Sequence, residues 1–342
     1  MDIKQSLSRL TDGHDLSLEE MKEVMAQIMT GAATDAQVGA FLMGMRLKGE
    51  TVDEITAAVM VMRDLVSGVP ISGAHLVDIV GTGGDGANLF NVSTAATFVV
   101  AAAGGTVAKH GNRSVSSNCG SADVLEAAGI QLDLNPQQVA ACVNEIGVGF
   151  MFAPAHHSAM RHAIGPRKEM GVRTLFNILG PMTNPAGVKR LLVGVYDKDL
   201  CRPVAEVLAR LGAEHVMVVH SADGLDELSS AAPSHVAEFK AGEVNEFEFQ
   251  PEDAGLARSE LTGLTVSGVS DSLQLMRNAL AGETGERAGR ARQIVALNAG
   301  AALYVAGLQG SIREGVQESL LLLESGAPWK KVEALAAFTA CF

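Results

Sequence analysis

A short apolar strand that runs into a glycine-rich loop and then into a helix is the feature that most restricts this chain. Val77, Ile79 and Val80 form the strand, and Gly81, Gly83, Gly84 and Gly86 follow at once. An Ala/Val-rich helix then opens near Asn91, with Ser93 and Thr94 in its first turn. Glycines let a backbone approach an anion closely, and the unpaired N–H groups of a helix N-terminus point at it with the favourable end of the dipole. The unit predicts a phosphate site at the carboxyl end of a parallel strand.

The same glycines fit the dinucleotide pattern G-x-G-x-x-G at Gly81, Gly83 and Gly86. An NAD site wants an acidic residue about 20 positions on, to hold the ribose hydroxyls. Here the second strand, 106–108, runs instead into Lys109-His-Gly-Asn-Arg-Ser-Val-Ser-Ser117. Cations, a histidine and serines at that place disfavour NAD and favour a more highly charged phosphate ligand.

The 342 residues allow one large domain or two unequal ones. The first ten residues lack the pattern of a signal peptide. The longest small-and-apolar run, 94–108, is broken by Gly104 and Gly105 and falls short of the roughly 20 residues of a membrane span. Cys119, Cys142, Cys201 and Cys341 show no C-x-x-C spacing, which argues against a zinc site or a disulfide framework and fits a reducing compartment. A soluble cytoplasmic protein is expected. The formal charge of −13 disfavours nucleic acid and anionic membranes as partners. An anionic small substrate then needs locally concentrated cations, and Lys109, His110 and Arg113 are such a concentration.

Residues 1–68 read as helical, with capping boxes at Ser17/Glu20, Thr34/Gln37 and Thr51/Glu54. Met21, Met25 and Met29 share a helix face, continued by Phe41, Met45, Ile55, Val59 and Met62. Such faces form a core or a subunit interface. A Gly/Pro/Ser turn at 68–73 marks a boundary. Beyond it, candidate strands at 77–80, 106–108, 130–134, 148–153, 190–195 and 215–220 alternate with helices such as 94–103, 136–146 and 200–211. Helices at 155–163 and 168–179 interrupt the rhythm and are expected to pack back on the N-terminal helices. A hairpin is expected from 236–240 and 246–250 around Ala241-Gly242, and 271–342 reads as helical. The fold expected is a small all-helical N-terminal domain (1–70, with 166–188 packing on it) plus a large α/β domain with a mostly parallel central sheet (71–165 and 189–342).

Gly81-Thr-Gly-Gly-Asp-Gly86, Asn91-Val-Ser-Thr94, the run Lys109–Ser117, Gly120-Ser-Ala-Asp-Val-Leu-Glu126 and Asp223-Gly-Leu-Asp-Glu227 resemble the anthranilate phosphoribosyltransferases, in that family's order and essentially end to end. The resemblance implies a nucleoside phosphorylase/phosphoribosyltransferase-like fold, a homodimer formed through the helical domain, and transfer of a phosphoribosyl group from phosphoribosyl pyrophosphate to the amine of anthranilate. Pyrophosphate is released, in tryptophan biosynthesis, with two Mg²⁺ ions. By the same carry-over, phosphoribosyl pyrophosphate falls to Gly81, Gly84, Asp85, Leu89, Asn91, Val92, Ser93 and Thr94. It falls also to Lys109, His110, Gly111, Asn112, Arg113, Ser114, Val115, Ser116, Ser117 and Ser121. Anthranilate falls to Gly81, Asn112 and Arg167, and the metals to Ser93, Asp226 and Glu227.

Physical chemistry agrees with several of these roles. A carboxylate pair facing pyrophosphate repels it unless divalent cations lie between, and Mg²⁺ takes carboxylate and phosphate oxygens in one shell. A planar guanidinium suits the anthranilate carboxylate, although the residues alone do not separate Arg167 from Arg161 or Arg173. His156 and His157 cannot both face one site on a helix, so they read, like His110, as substrate-lining or core histidines. No side chain is needed as a strong base, and no catalytic residue is assigned. Leu89 departs from the family, many of whose members carry threonine there. The expectation is that Leu89 lies beside the anion site while loop N–H groups and Asn88 or Asn91 do the holding. Two alternatives are a pyrimidine nucleoside phosphorylase, whose lysine-histidine-serine glycine loop differs from Gly81–Gly86, and a non-catalytic nucleic-acid-binding relative, which the net charge opposes.

Overall fold

Four capped helices come first in the computed structural model, which describes residues 1–114 and 118–342. They are α1 (Ile3–Thr11), α2 (Leu18–Met29), α3 (Asp35–Lys48) and α4 (Val52–Asp64). The three capping boxes expected from the sequence all form, and a fourth joins Asp2 to Gln5 at α1. Met21, Met25, Met29, Phe41, Met45, Ile55, Val59 and Met62 are all buried within the chain, so these faces are core.

The chain then alternates: β1 (Leu76–Gly81), α5 (Val92–Ala102), β2 (Thr106–Gly111), α6 (Ser121–Ala127), α7 (Pro136–Ile146) and β3 (Val148–Phe152). The helical insertion α8 (Ala153–His156), α9 (Arg161–Met170) and α10 (Phe176–Leu179) leads to β4 (Arg190–Gly194), α11 (Cys201–Arg210) and β5 (His215–Ser221). β6 (Ser234–Lys240) and β7 (Glu243–Phe249) form the expected hairpin, its two-residue turn held by positive φ at Ala241 and Gly242. Four helices close the chain: α12 (Val269–Leu280), α13 (Glu286–Ala306), α14 (Ile312–Ser325) and α15 (Ala327–Thr339). The seven-stranded sheet has the order β3-β2-β1-β4-β5-β6-β7, with β1 to β5 parallel and β6 and β7 antiparallel. The chain leaves β1 towards β2 and β3, then returns to lay β4 on the other side of β1. The crevice at that reversal opens outside the carboxyl ends of β1 and β4.

Three local expectations are corrected. Residues 130–134 form no strand: Ile130, Leu132 and Leu134 are buried between exposed Gln131 and Asp133, but the segment pairs with no ladder. The Gln131 N–H goes to Thr339 Oγ1 on α15 at 3.1 Å, and β3 takes the place beside β2. One-sided burial of an extended segment thus gave a strand-like alternation. Second, the helix break falls at Gly171, in left-handed conformation (φ 62°), and α9 runs through Gly165 and Pro166. Pro166 forfeits one intrahelical bond but is buried, so packing overrides the usual penalty. Third, β2 continues through Lys109, His110 and Gly111, which therefore have strand geometry.

The insertion packs on the helical bundle: α9 lies against α2 and α3, and α10 against α4. Arg63 Nε donates to Met182 O at 2.8 Å, and Val69 N–H to Pro185 O at 3.0 Å.

Candidate active site

The glycine loop leaves β1 with Gly83, Gly84 and Gly86 at φ of 65°, 79° and 75°, a turn that side chains with a Cβ rarely adopt. Gly81 and Gly194 are register partners at the ends of β1 and β4, and Asp226 lies over both. A Cβ on Gly81 would stand 2.4 Å from Asp226 Oδ2, and one on Gly194 only 1.5 Å from the Asp226 carbonyl oxygen. Here glycine is required for space. Asp226 Oδ2 accepts the Gly83 N–H at 2.7 Å, and Glu227 Oε1 accepts the Ser93 N–H, in the first turn of α5, at 3.0 Å. The two carboxylates therefore hold the loop and the helix N-terminus on the donors an anion site would offer.

Burial is the main force raising both carboxyls, Asp226 to about 6 and Glu227 well above the usual range; Asp85 adds repulsion to each, and Asp226 adds more to Glu227. Lys109, which approaches Ser93 Oγ at 3.5 Å and donates to Ile79 O at 2.5 Å, offsets only part of this charge. Among the described residues no three His, Cys, Asp or Glu side chains converge as a self-sufficient metal cage. A crowded oxygen-only set of Asp226, Glu227 and the Ser93 hydroxyl nevertheless suits a hard cation that completes its shell with phosphate oxygens and water.

Other expected ligand residues fall around this crevice, with differences. Asn91 stands at the N-cap position of α5 but makes no side-chain cap bond, its side chain being spent elsewhere: Oδ1 accepts from Ser272 Oγ at 2.7 Å and Nδ2 donates to the Cys119 carbonyl at 3.1 Å. The side chains of Val92 and Thr94 are buried, and Thr94 Oγ1 has no partner among the described residues. The Gly84 carbonyl accepts from the Arg173 guanidinium, and Asp85 Oδ1 accepts the Ala87 N–H. Leu89 is half-buried and packs against the hydrophobic core while its backbone bridges to Thr265. Asn112 is exposed, its carbonyl accepting from Ser121 Oγ at 3.2 Å, and Gly111 closes β2 against the same serine. Val115, Ser116 and Ser117 lie outside the described residues.

The expected cationic patch is also corrected. Lys109 and His110 are buried because β2 carries them into the sheet, and burial lowers both, His110 to about 3. Arg113 is exposed but paired with Asp123 at 3.1 Å and Glu126 at 2.8 Å. Sequence reasoning missed the residues that arrange these groups. Asp123 Oδ2 gathers the N–H groups of Ser114 and Gly120 at 3.0 and 2.9 Å. Asp78, fully buried and raised to about 6 by that burial, accepts from the His110 N–H at 3.2 Å and from Asn184 Nδ2 at 2.6 Å. A lone carboxylate inside Val77-Asp-Ile-Val80 was the available signal for Asp78.

The three arginines differ in what they touch. Arg161 is exposed and donates to His162, and Arg173 is committed to Gly84 and stacks on Tyr196 at 4.1 Å. Arg167 is half-buried over the Phe176 ring at 5.3 Å, burial lowers its pKa, and it has no hydrogen-bonded or ionic partner among the described residues. The His110 and His157 rings lie 5.0 Å apart, tilted by 51°. Burial pushes His157 down to about 4, and the Nε2 atoms of His110, His156 and His157 lack partners among the described residues.

The chain is similar along its whole length to named enzymes. The anthranilate phosphoribosyltransferase of Marinobacter nauticus is 61% identical over 342 residues, covering 100% of both chains, and that of Cellvibrio japonicus is 61% identical over 339 residues, covering 99% of both. The chain belongs to the anthranilate phosphoribosyltransferase family. Residues 4–66 match the helical bundle domain of the glycosyl transferase family and residues 73–328 its a/b domain. The crystal structure of anthranilate phosphoribosyltransferase from Thermus thermophilus superposes with a TM-score of 0.91 at 40% identity, covering 98% of this chain and 99% of that one. The Saccharomyces cerevisiae anthranilate phosphoribosyltransferase in complex with PRPP and Mg shares the fold at 24% identity (TM-score 0.90, 99% and 98% covered).

Proposed function

We infer that this chain is an anthranilate phosphoribosyltransferase, transferring the phosphoribosyl group of phosphoribosyl pyrophosphate to the amine of anthranilate with release of pyrophosphate, in tryptophan biosynthesis. Full-length identity of 61% to enzymes of that name carries the reading. The glycine loop and the α5 N-terminus lend pyrophosphate the N–H donors that Asp226 and Glu227 do not already hold, and Lys109 supplies charge from beneath. Arg167, a half-buried guanidinium without a partner among the described residues, grips the anthranilate carboxylate through paired hydrogen bonds. His110 and His157 stay neutral and wall the aromatic ring. Asn112 and the Gly81 backbone complete that wall.

Asp226, Glu227 and Ser93 would hold Mg²⁺, as two ions, one on the carboxylate pair and one near the serine. Mg²⁺ neutralises charge on a departing pyrophosphate when bound. The protein's own task is to align the neutral arylamine opposite the leaving group, which gives inversion at the ribose C1 without a strong base. The assembly is a cytoplasmic homodimer joined through the helical bundle, whose surface and packed-on insertion expose Leu47, Leu65, Ile164 and Val172. Sedimentation equilibrium tests the dimer.

Loss of anthranilate fluorescence that requires both phosphoribosyl pyrophosphate and Mg²⁺ tests the reaction. Phosphorolysis of uridine or thymidine in its place would favour the nucleoside phosphorylase alternative.

A further inference from the structure

Helix α13 is almost wholly apolar along residues 294–306, yet its centre carries Asn298, only 2% exposed. The side-chain amide is fully used. Oδ1 accepts the Leu228 N–H at 3.0 Å, and Nδ2 donates to the Leu228 carbonyl at 2.9 Å and to the Ile294 carbonyl at 2.9 Å. One side chain thus pairs with both polar groups of a single residue, as a neighbouring strand would. Leu228 is itself buried and directly follows Asp226 and Glu227.

From the opposite side the same stretch is pressed on Gly81 and Gly194, where a Cβ would overlap Asp226. Residues 226–228 are therefore pinned between the ends of β1 and β4 and the middle of α13. Packing alone would be met by an apolar side chain at 298; the amide is accounted for by the Leu228 peptide, which would otherwise be buried unpaired. We propose that Asn298 is a positioning residue, which fixes the direction of the Asp226 and Glu227 carboxylates and so sets how tightly they hold a divalent cation. This rests on the reading of that pair as metal ligands.

The test uses the full-length enzyme and Mn²⁺ alone as probe, with free ion counted by electron paramagnetic resonance and melting temperature recorded in parallel. Five proteins are compared: wild type, Asn298→Ala, Asn298→Ser, Leu303→Ala as a core deletion on the same helix, and the double variant Asp226→Asn/Glu227→Gln. The expected result is Mn²⁺ binding weakened about tenfold in Asn298→Ala, less in Asn298→Ser, and unchanged in Leu303→Ala despite its lower melting temperature. The Mg²⁺ concentration for half-maximal activity should rise in step, with the KM for anthranilate unchanged. Wild-type Mn²⁺ affinity in Asn298→Ala, with only a lower melting temperature, overturns the proposal by showing that the amide merely satisfies a buried peptide. If Asn298→Ala does not fold, the same criterion is applied to Asn298→Ser. Mn²⁺ binding that is absent from wild type or unchanged in the double variant overturns the metal reading itself and the proposal with it.

Discussion

At the glycine-loop end of the crevice, N–H donors, carboxylates and Lys109 are interlocked, with Gly83 held by Asp226 and Ser93 by Glu227. At the histidine end, three buried imidazoles keep Nε2 atoms without partners among the described residues, and burial holds His110 and His157 neutral. The first end is rich in charge that burial makes costly, and an incoming cation and anion relieve it together. The second is low in charge and suits a flat ring, for whose carboxylate Arg167 is the proposed partner. On the proposed reading, two substrates of different polarity meet at the carboxyl end of one sheet because strand ends and the α8–α10 insertion present different chemistry to the same space.

The comparison breaks most readily at the carboxylates. Asp226→Asn/Glu227→Gln keeps oxygens that accept the Gly83 and Ser93 N–H groups while removing two charges. Activity at saturating substrates should fall roughly 1000-fold, equivalent to about 4 kcal/mol, while the metal-free melting temperature holds or rises as repulsion with Asp85 disappears. A collapse of that melting temperature would make the pair structural.

The histidine end should show itself in acid. A histidine with its folded pKa depressed contributes stability that is fully present above its unfolded value near 6.5 and is lost as pH falls towards 4 and then 3. With His110 at about 3 and His157 at about 4, each should cost roughly 2 kcal/mol by pH 5 relative to pH 7. The buried carboxyls Asp78, Asp226 and Glu227, all raised, act in the opposite sense over the same window, so the histidine share is read as a difference: in urea unfolding at the two pH values, His157→Phe, which keeps a ring but cannot titrate, should change by about 2 kcal/mol less in the destabilising direction than wild type. An unchanged slope in that variant would place the acid sensitivity elsewhere.

A third measurement sharpens the division of labour. Arg167→Ala should weaken anthranilate by about 1.5–3 kcal/mol, the range for a hydrogen bond to a charged group, and leave phosphoribosyl pyrophosphate nearly untouched. Calorimetric titration of each substrate decides it. Equal losses would mean that Arg167 serves the crevice as a whole.

The two ends also differed in how far the sequence could be read. The strand–loop–helix unit at 77–94 is local, so its glycines, strand and helix start appear where the pattern puts them, as do the three expected capped helices of the N-terminal unit and the hairpin turn. The partners that aim the site are not local. Asn184 lies 106 residues from Asp78, and Ser272 lies 181 from Asn91, so no periodicity could have joined them. Only the resemblance sets Arg167 apart from Arg161 and Arg173 in the sequence, because what each guanidinium touches is not a local pattern either. Where local pattern misled, at 130–134, a buried extended segment imitated a strand because alternation reports one-sided burial, whether or not a ladder forms.

The smallest effect concerns Leu89, at the seam between the loop and the body of the domain. Its backbone bridges to Thr265, the adjacent Phe90 N–H donates to Leu264 O at 3.1 Å, and its half-buried side chain packs against the core. A threonine there would lose apolar contact and place a hydroxyl against that packing, whereas the loop N–H groups that face an anion would be unchanged. Leu89→Thr is therefore expected to lower stability by about 1 kcal/mol, the lower end for a polar group placed against apolar surroundings. The affinity for phosphoribosyl pyrophosphate should stay within twofold. Melting temperature and calorimetric affinity on the same variant separate the outcomes. A tenfold gain in affinity at unchanged stability would show that the residue turns towards the pyrophosphate, and that the charged end of the crevice extends one residue further along the loop than its packing indicates.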